Sequence, residues 1–146
     1  MIKKKIKLVL HPPSYSLIAI SCSETIHRIG WLINTSLDLQ LKESTPLKIQ
    51  PTQQINKIDK IFLEFPTYKD EVGHPELTYI VVKNKIDTIL LFKELQNIDF
   101  LLVVKGDIKE VHLKNLIQKL KKIPGVLAAI PINPEKLSNI NFILNI

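Results

Sequence analysis

Hydrophobic positions gather most densely between residues 79 and 105. Tyr79-Ile-Val-Val-Lys83, Ile89-Leu-Leu-Phe92 and Ile98-Asp-Phe-Leu-Leu-Val-Val-Lys105 are short runs rich in β-branched and aromatic residues. Each is too short for a helix, and polar breaks at Asn84-Lys85 and Lys93–Asn97 divide them. The pattern predicts three neighbouring strands of one antiparallel sheet, with Lys83-Asn84-Lys85 as a hairpin break. Upstream, Tyr15–Cys22 has the composition of a buried strand. Ser23 then stands where a helix N-cap is expected, and Glu24 suits the positive end of that helix. Ile26, Ile29, Ile33 and Leu37 fall on one helical face, with Gly30 in the same stripe. A glycine there predicts close approach of the helix to the sheet. Leu39-Gln-Leu41 alternates like a short strand. Residues 43 to 57 are polar and broken by Pro46 and Pro51, so they predict a loop in which Leu47–Ile49 pairs at most. Residues 58 to 65 alternate with apolar groups on both faces, and Pro66 is expected to end that strand.

The second half repeats the strand–helix–strand order. Gly106-Asp107 opens a helix, and Asp107 with Glu110 has capping-box spacing. Leu113, Leu116, Ile117, Leu120 and Ile123 form its apolar stripe, and Pro124-Gly125 ends it. Val126–Ile132 is expected to be a nearly fully buried strand. Asn133-Pro134 has the form of an N-cap with proline at the first helical position. The apolar tail Phe142–Ile146 is expected to pack on the domain or on a partner. Together these elements predict an α+β fold: a mainly antiparallel sheet with two principal helices, in a ferredoxin-like order with extra strands. Residues 1–146 form one expected domain, with 1–13 a strand or a basic arm and 133–146 a docking tail. The junction Leu120–Ile132 resembles the last helix-to-strand passage of ACT-type regulatory domains, which implies a small-molecule sensor as one alternative. Two helices cover only one face of such a sheet. The other face must be polar, covered by terminal segments, or used in dimerisation.

Charge changes the picture little. The net charge is +6 and the pI about 9.4, which raises a weak RNA-associated role through Lys3, Lys4, Lys5, Lys114, Lys121 and Lys122. Arg28 is the only arginine, however, and phosphate or guanine readers favour arginine. Lysines late in the second helix also complement its dipole without any ligand. Cys22 is the only cysteine, which excludes an intrachain disulfide and fits a reducing cytoplasm. The basic start resembles a signal-peptide n-region, but His11-Pro12-Pro13 cuts its apolar stretch short. No run has the length of a membrane span. Tyr68, Asp70, Glu71, His74 and Glu76 lie between Thr67 and Glu76 without the rigid spacing of a metal site, and are expected to form a solvated acidic loop. No catalytic, cofactor or metal residues are predicted.

His27 and Trp31 share a second helix face with Asn34. That face is either a second buried side or a partly exposed aromatic anchor, because tryptophan is enriched where partners bind. Phe92-Lys-Glu-Leu-Gln-Asn-Ile-Asp-Phe100 is similar to the Ile-Pro-Glu, three residues, Val-Asp-Tyr motif of the IPExxxVDY family. Glu94 and Asp99 match, Ile98 and Phe100 are near-conservative, and Lys93 stands where the family has proline. His27-Arg-Ile-Gly-Trp-Leu-Ile-Asn34 resembles the same family's Arg…Trp-Leu-x-Asn segment. The resemblance implies a small cytoplasmic Bacteroidetes-type protein and supplies no activity or cofactor. From the residues themselves, Asp99 is expected to accept backbone N–H bonds beside its strand. The expected function is a non-enzymatic interaction or regulatory module that associates with itself or a protein partner. Its candidate contact residues are His27, Arg28, Trp31, Asn34, Glu94 and Asp99.

Overall fold

The computed structural model describes residues 14–49, 63–137 and 140. The basic arm, residues 58–62 and the tail from Phe142 onward lie outside them. The elements are β1 (Tyr15–Cys22), α1 (Ile26–Leu37), β2 (Lys42–Ile49), β3 (Leu63–Asp70), β4 (Thr78–Lys83), β5 (Lys85–Ile86), β6 (Ile89–Leu90), β7 (Phe100–Lys105), α2 (Glu110–Lys121) and β8 (Val126–Ile132). A 3₁₀ turn, Pro134–Lys136, follows β8. Six strands make one sheet in the order β2-β3-β4-β7-β1-β8, while β5 and β6 pair separately. Every pairing among the described strands is antiparallel. The fold is α+β.

Period-two alternation splits the sheet into two faces. Ile18, Ile20, Tyr79, Val81, Phe100, Leu102 and Val104 pack under the two helices, against Ile29, Ile33, Leu116 and Leu120. Leu17, Ala19, Ile80, Val82, Leu101 and Val103 point the other way and form a second core with Phe65, Leu91, Phe92 and Leu137. Strands β1, β4 and β7 are therefore buried on both sides, which explains their nearly continuous apolar sequences.

The three expected central strands are two. β4 pairs directly with β7, and residues 84–99 leave the sheet between them. Ile89 and Leu90 belong to a small hairpin whose turn is at Asp87-Thr88, with Asp87 at φ 53°. Leu91 and Phe92 fold back over the second face, completely buried. Length alone cannot separate a strand from a short buried return of this kind.

Other boundaries move for local reasons. The helix α1 is capped by Thr25, not Ser23: its hydroxyl accepts from the Arg28 N–H at 3.1 Å. Leu39 and Leu41 are buried in coil rather than paired in a strand. Residues 42–49 are a full strand, and a register shift between Ser44 and Leu47 absorbs Pro46. Pro66 does not end β3. It lies beside that shift and ahead of Thr67, where pairing with β4 begins, so its missing N–H breaks no ladder on the β4 side. The capping box of Asp107 is not formed, because α2 starts at Glu110 with Lys109 as its uncapped N-cap. Among the described strands, β8 lies at the edge and pairs only with β1. It is far more exposed than its apolar sequence predicts, with Leu127 80% and Ile130 48% accessible.

Candidate functional site

The residues singled out by sequence fall in three places. On α1, His27, Arg28 and Trp31 face outward, which overturns the reading of this side as a second buried face. The Arg28 guanidinium lies 5.0 Å from the Trp31 ring centroid, a cation–π contact worth about 0.5–1 kcal/mol at an exposed site. His27 Nδ1 is 3.2 Å from the Tyr68 hydroxyl. Trp31 is 55% accessible. It stands alone among polar neighbours, and a single exposed aromatic requires no partner. Asn34 does not join this surface. Its Oδ1 accepts from the Leu41 N–H at 2.7 Å, and its Nδ2 donates to the Leu41 carbonyl at 3.1 Å. It holds the chain leaving the helix, where Asp38 turns through the left-handed region.

The motif stretch 92–100 is a structural clamp. Asp99 Oδ2 accepts the Cys22 backbone N–H at 2.7 Å, and the Asp99 N–H donates to the Ile20 carbonyl at 3.0 Å. Asp99 thus ties the start of β7 to the end of β1. Glu94 lies on the exposed outer side of the excursion. At its centre is Asn84, which sequence reasoning treated as a turn. It is fully buried. Its Nδ2 donates to the carbonyls of Leu95 and Ile98, both at 2.9 Å, and its Oδ1 accepts from the Phe92 N–H at 3.0 Å. Its own backbone bonds Asp99 and Leu91. One amide thereby satisfies groups that the excursion would otherwise bury unpaired. Flanking lysines at 83 and 85 disguised it as a polar break.

Asp70 is the other missed anchor. The acidic loop begins only after it, because Asp70 is buried at the end of β3. Its carboxylate accepts from Gln40 N at 2.9 Å, Val72 N at 3.2 Å and Gly73 N at 2.7 Å. Burial pushes its pKa up, but these three N–H donors, with His74 nearby, outweigh burial and hold it below the ordinary 3.8. The group is a satisfied brace, with no lone pairs converging on a ligand.

Two recesses among the described residues are lined by titratable side chains. One of about 220 Å³ is lined by Cys22, Glu24, Lys83, Lys85, Asp87 and Asp99, with charges of both signs. Burial raises the Cys22 thiol, the charges of Glu24 and Asp99 raise it further, and a backbone hydrogen bond only partly opposes them. A thiol so placed is a poor nucleophile. A second recess, of about 250 Å³, is lined by His74, Glu76, Asp107, Lys109 and His112. Among the described residues, no three His, Cys, Asp or Glu side chains are placed to hold a metal, and no helix is long and apolar enough to cross a membrane.

The lysines of the RNA reading are dispersed in role. Lys114 reaches Glu110 at 3.4 Å, one helical turn away, Lys121 and Lys122 are exposed at the end of α2, and Lys3, Lys4 and Lys5 lie outside the described residues. What the structure adds is the apolar edge at β8. The proline at 131 was the signal available in the sequence, since proline within an apolar run marks an edge strand. No protein-family model matches the chain, and neither does any curated protein.

Proposed function

We propose that the chain is a non-enzymatic interaction module of the cytoplasm that associates with itself. The observation that carries this reading is the contrast between the two edges of the sheet. β2 carries Lys42, Glu43 and Lys48 and is kinked at Pro46, the devices that keep an edge from pairing. β8, Val-Leu-Ala-Ala-Ile-Pro-Ile, carries no charge and exposes Leu127 and Ile130. An uncharged apolar edge of this kind, interrupted only at Pro131 and at the register shift opposite Ser21 and Cys22, offers Ala128–Ile130 to another strand. The strand order β8-β1-β7-β4, with a helix after β1 and another after β7, supports a ferredoxin-like reading extended by β2 and β3, and the residues quoted above support kinship with the IPExxxVDY family.

Sedimentation equilibrium over a range of protein concentrations tests the reading. The expected result is a mass rising from one chain toward two. A single-chain mass at every concentration would remove self-association. RNA retention that survives moderate salt would favour the nucleic-acid reading instead.

A further inference from the structure

We infer that residues 85–98 form a hinged strap, which opens as one unit about Asn84 and Asp99 and uncovers the second face of the sheet while the helix-covered face stays folded. This concerns the single chain and does not rest on self-association. The sheet is complete beneath the strap. β4 and β7 pair from Thr78 opposite Lys105 to Lys83 opposite Phe100. The Asn84 N–H carries that ladder one step further, to the Asp99 carbonyl at 2.9 Å. Asp99 is in turn tied to β1 through the Ile20 carbonyl and the Cys22 N–H. The strap thus leaves and rejoins the sheet at neighbouring, anchored points. Lifting it breaks no pairing within the six-stranded sheet.

Order within the strap is local. Lys85 and Ile86 pair with Leu90 and Ile89, and the Leu95 and Ile98 N–H groups donate to the Phe92 and Leu95 carbonyls at 3.0 and 3.3 Å. Its polar grip comes from the foot. The Asn84 carbonyl accepts the Leu91 N–H at 2.6 Å, and the Asn84 side chain holds Phe92, Leu95 and Ile98. Its apolar grip is the buried pair Leu91 and Phe92, with Ile86, Leu95 and Ile98 partly buried. Lys93, Glu94, Gln96 and Asn97 face solvent. Opening exposes this small set and the Ile80, Val82, Leu101 and Val103 surface beneath it. Complete unfolding exposes in addition the larger core under the helices, from Ile18 and Ile29 to Leu120. The apolar area exposed sets the cost of each event, so the strap opens far more often than the chain unfolds.

Native-state amide hydrogen exchange on the full chain, followed by NMR in rising low concentrations of urea, tests this. The Leu91 and Phe92 N–H groups, both bonded to Asn84, report the strap. Val81 and Leu102, in the middle of β4 and β7, report the whole fold. The expected result is one shared opening for Leu91 and Phe92, about 100-fold or more as frequent as that for Val81 and Leu102 and with a smaller urea dependence. Ile33→Val, in the core under the helices, separates the two events. It should speed exchange at Val81 and Leu102 by roughly threefold to tenfold and leave Leu91 and Phe92 unchanged. If Leu91 and Phe92 exchange at the rate of Val81 and Leu102, or accelerate equally in Ile33→Val, the strap opens only with the whole chain and the inference falls. It falls equally if they exchange independently of each other and of urea, since local fraying then replaces a hinged opening.

Discussion

The middle and the flank of the sheet's second face carry similar apolar strands and have opposite fates. In the middle, Ile80, Val82, Leu101 and Val103 are roofed by Leu91 and Phe92 and closed at the side by Leu137. At the flank, Ala128 and Ile130 extend the same surface without a roof among the described residues. The difference lies in polar chemistry. The roof is an irregular stretch that must bury backbone groups, and Asn84 satisfies those of Phe92, Leu95 and Ile98 while Asp99 ties its end to β1 through the Cys22 N–H. Among the described residues, the buried polar side chains are Thr67, Asp70 and Asn84, none of them on β1 or β8. Covering a sheet face therefore takes a few hydrogen-bonding anchors as much as apolar area.

The comparison is broken most directly at Asn84. Asn84→Ala removes three side-chain hydrogen bonds, taking the partner from the buried Phe92 N–H and the side-chain donor from the Leu95 and Ile98 carbonyls, of which Leu95 keeps the Ile98 N–H. A loss of about 3–5 kcal/mol is expected, a large part of the stability of a domain this size. Urea denaturation measures it, and protease cleavage within residues 85–98 should accompany it. Asp70 comes next. Asp70→Asn turns one of its two accepting oxygens into a donor facing an N–H, and a loss of about 2 kcal/mol is expected. The pH sign follows from its lowered pKa: its contribution is full above the unfolded value near 3.8 and fades as pH falls through the folded one. Acid unfolding of the wild type should therefore be steeper below pH about 4 than that of Asp70→Asn. The smallest expected effect is at Gly30. A Cβ there would meet the Tyr68 ring at 3.4 Å, an ordinary contact, so Gly30→Ala should raise stability by up to about 1 kcal/mol in the same urea titration.

Periodic signals carried the fold class. The stripes of α1 and α2 and the apolar runs of β1, β4 and β7 were visible because their side chains repeat with the period of the element that buries them. The elements that were misjudged depend on distant partners. Phe92 looks like a strand residue until Asn84 bends the chain over the sheet. Pro66 looks like a terminator until the register shift of β2 makes room for it. The candidate contact residues divided for the same reason. Arg28 and Trp31 face outward as one local helix face, whereas Asn34 and Asp99 are committed to the backbone of Leu41 and Cys22. No local pattern distinguishes a polar residue that meets a partner from one that braces its own chain.

The strand order also sets when the molecule becomes whole during synthesis. β1 emerges early, yet both its neighbours come late: Tyr15 awaits Lys105, and Leu17 awaits Ile132. Until the residues through Ile132 have left the ribosome, β1 lacks its second neighbour. Such long-range closure makes for slow maturation and keeps apolar surface open for longer than in a chain whose first strand pairs locally.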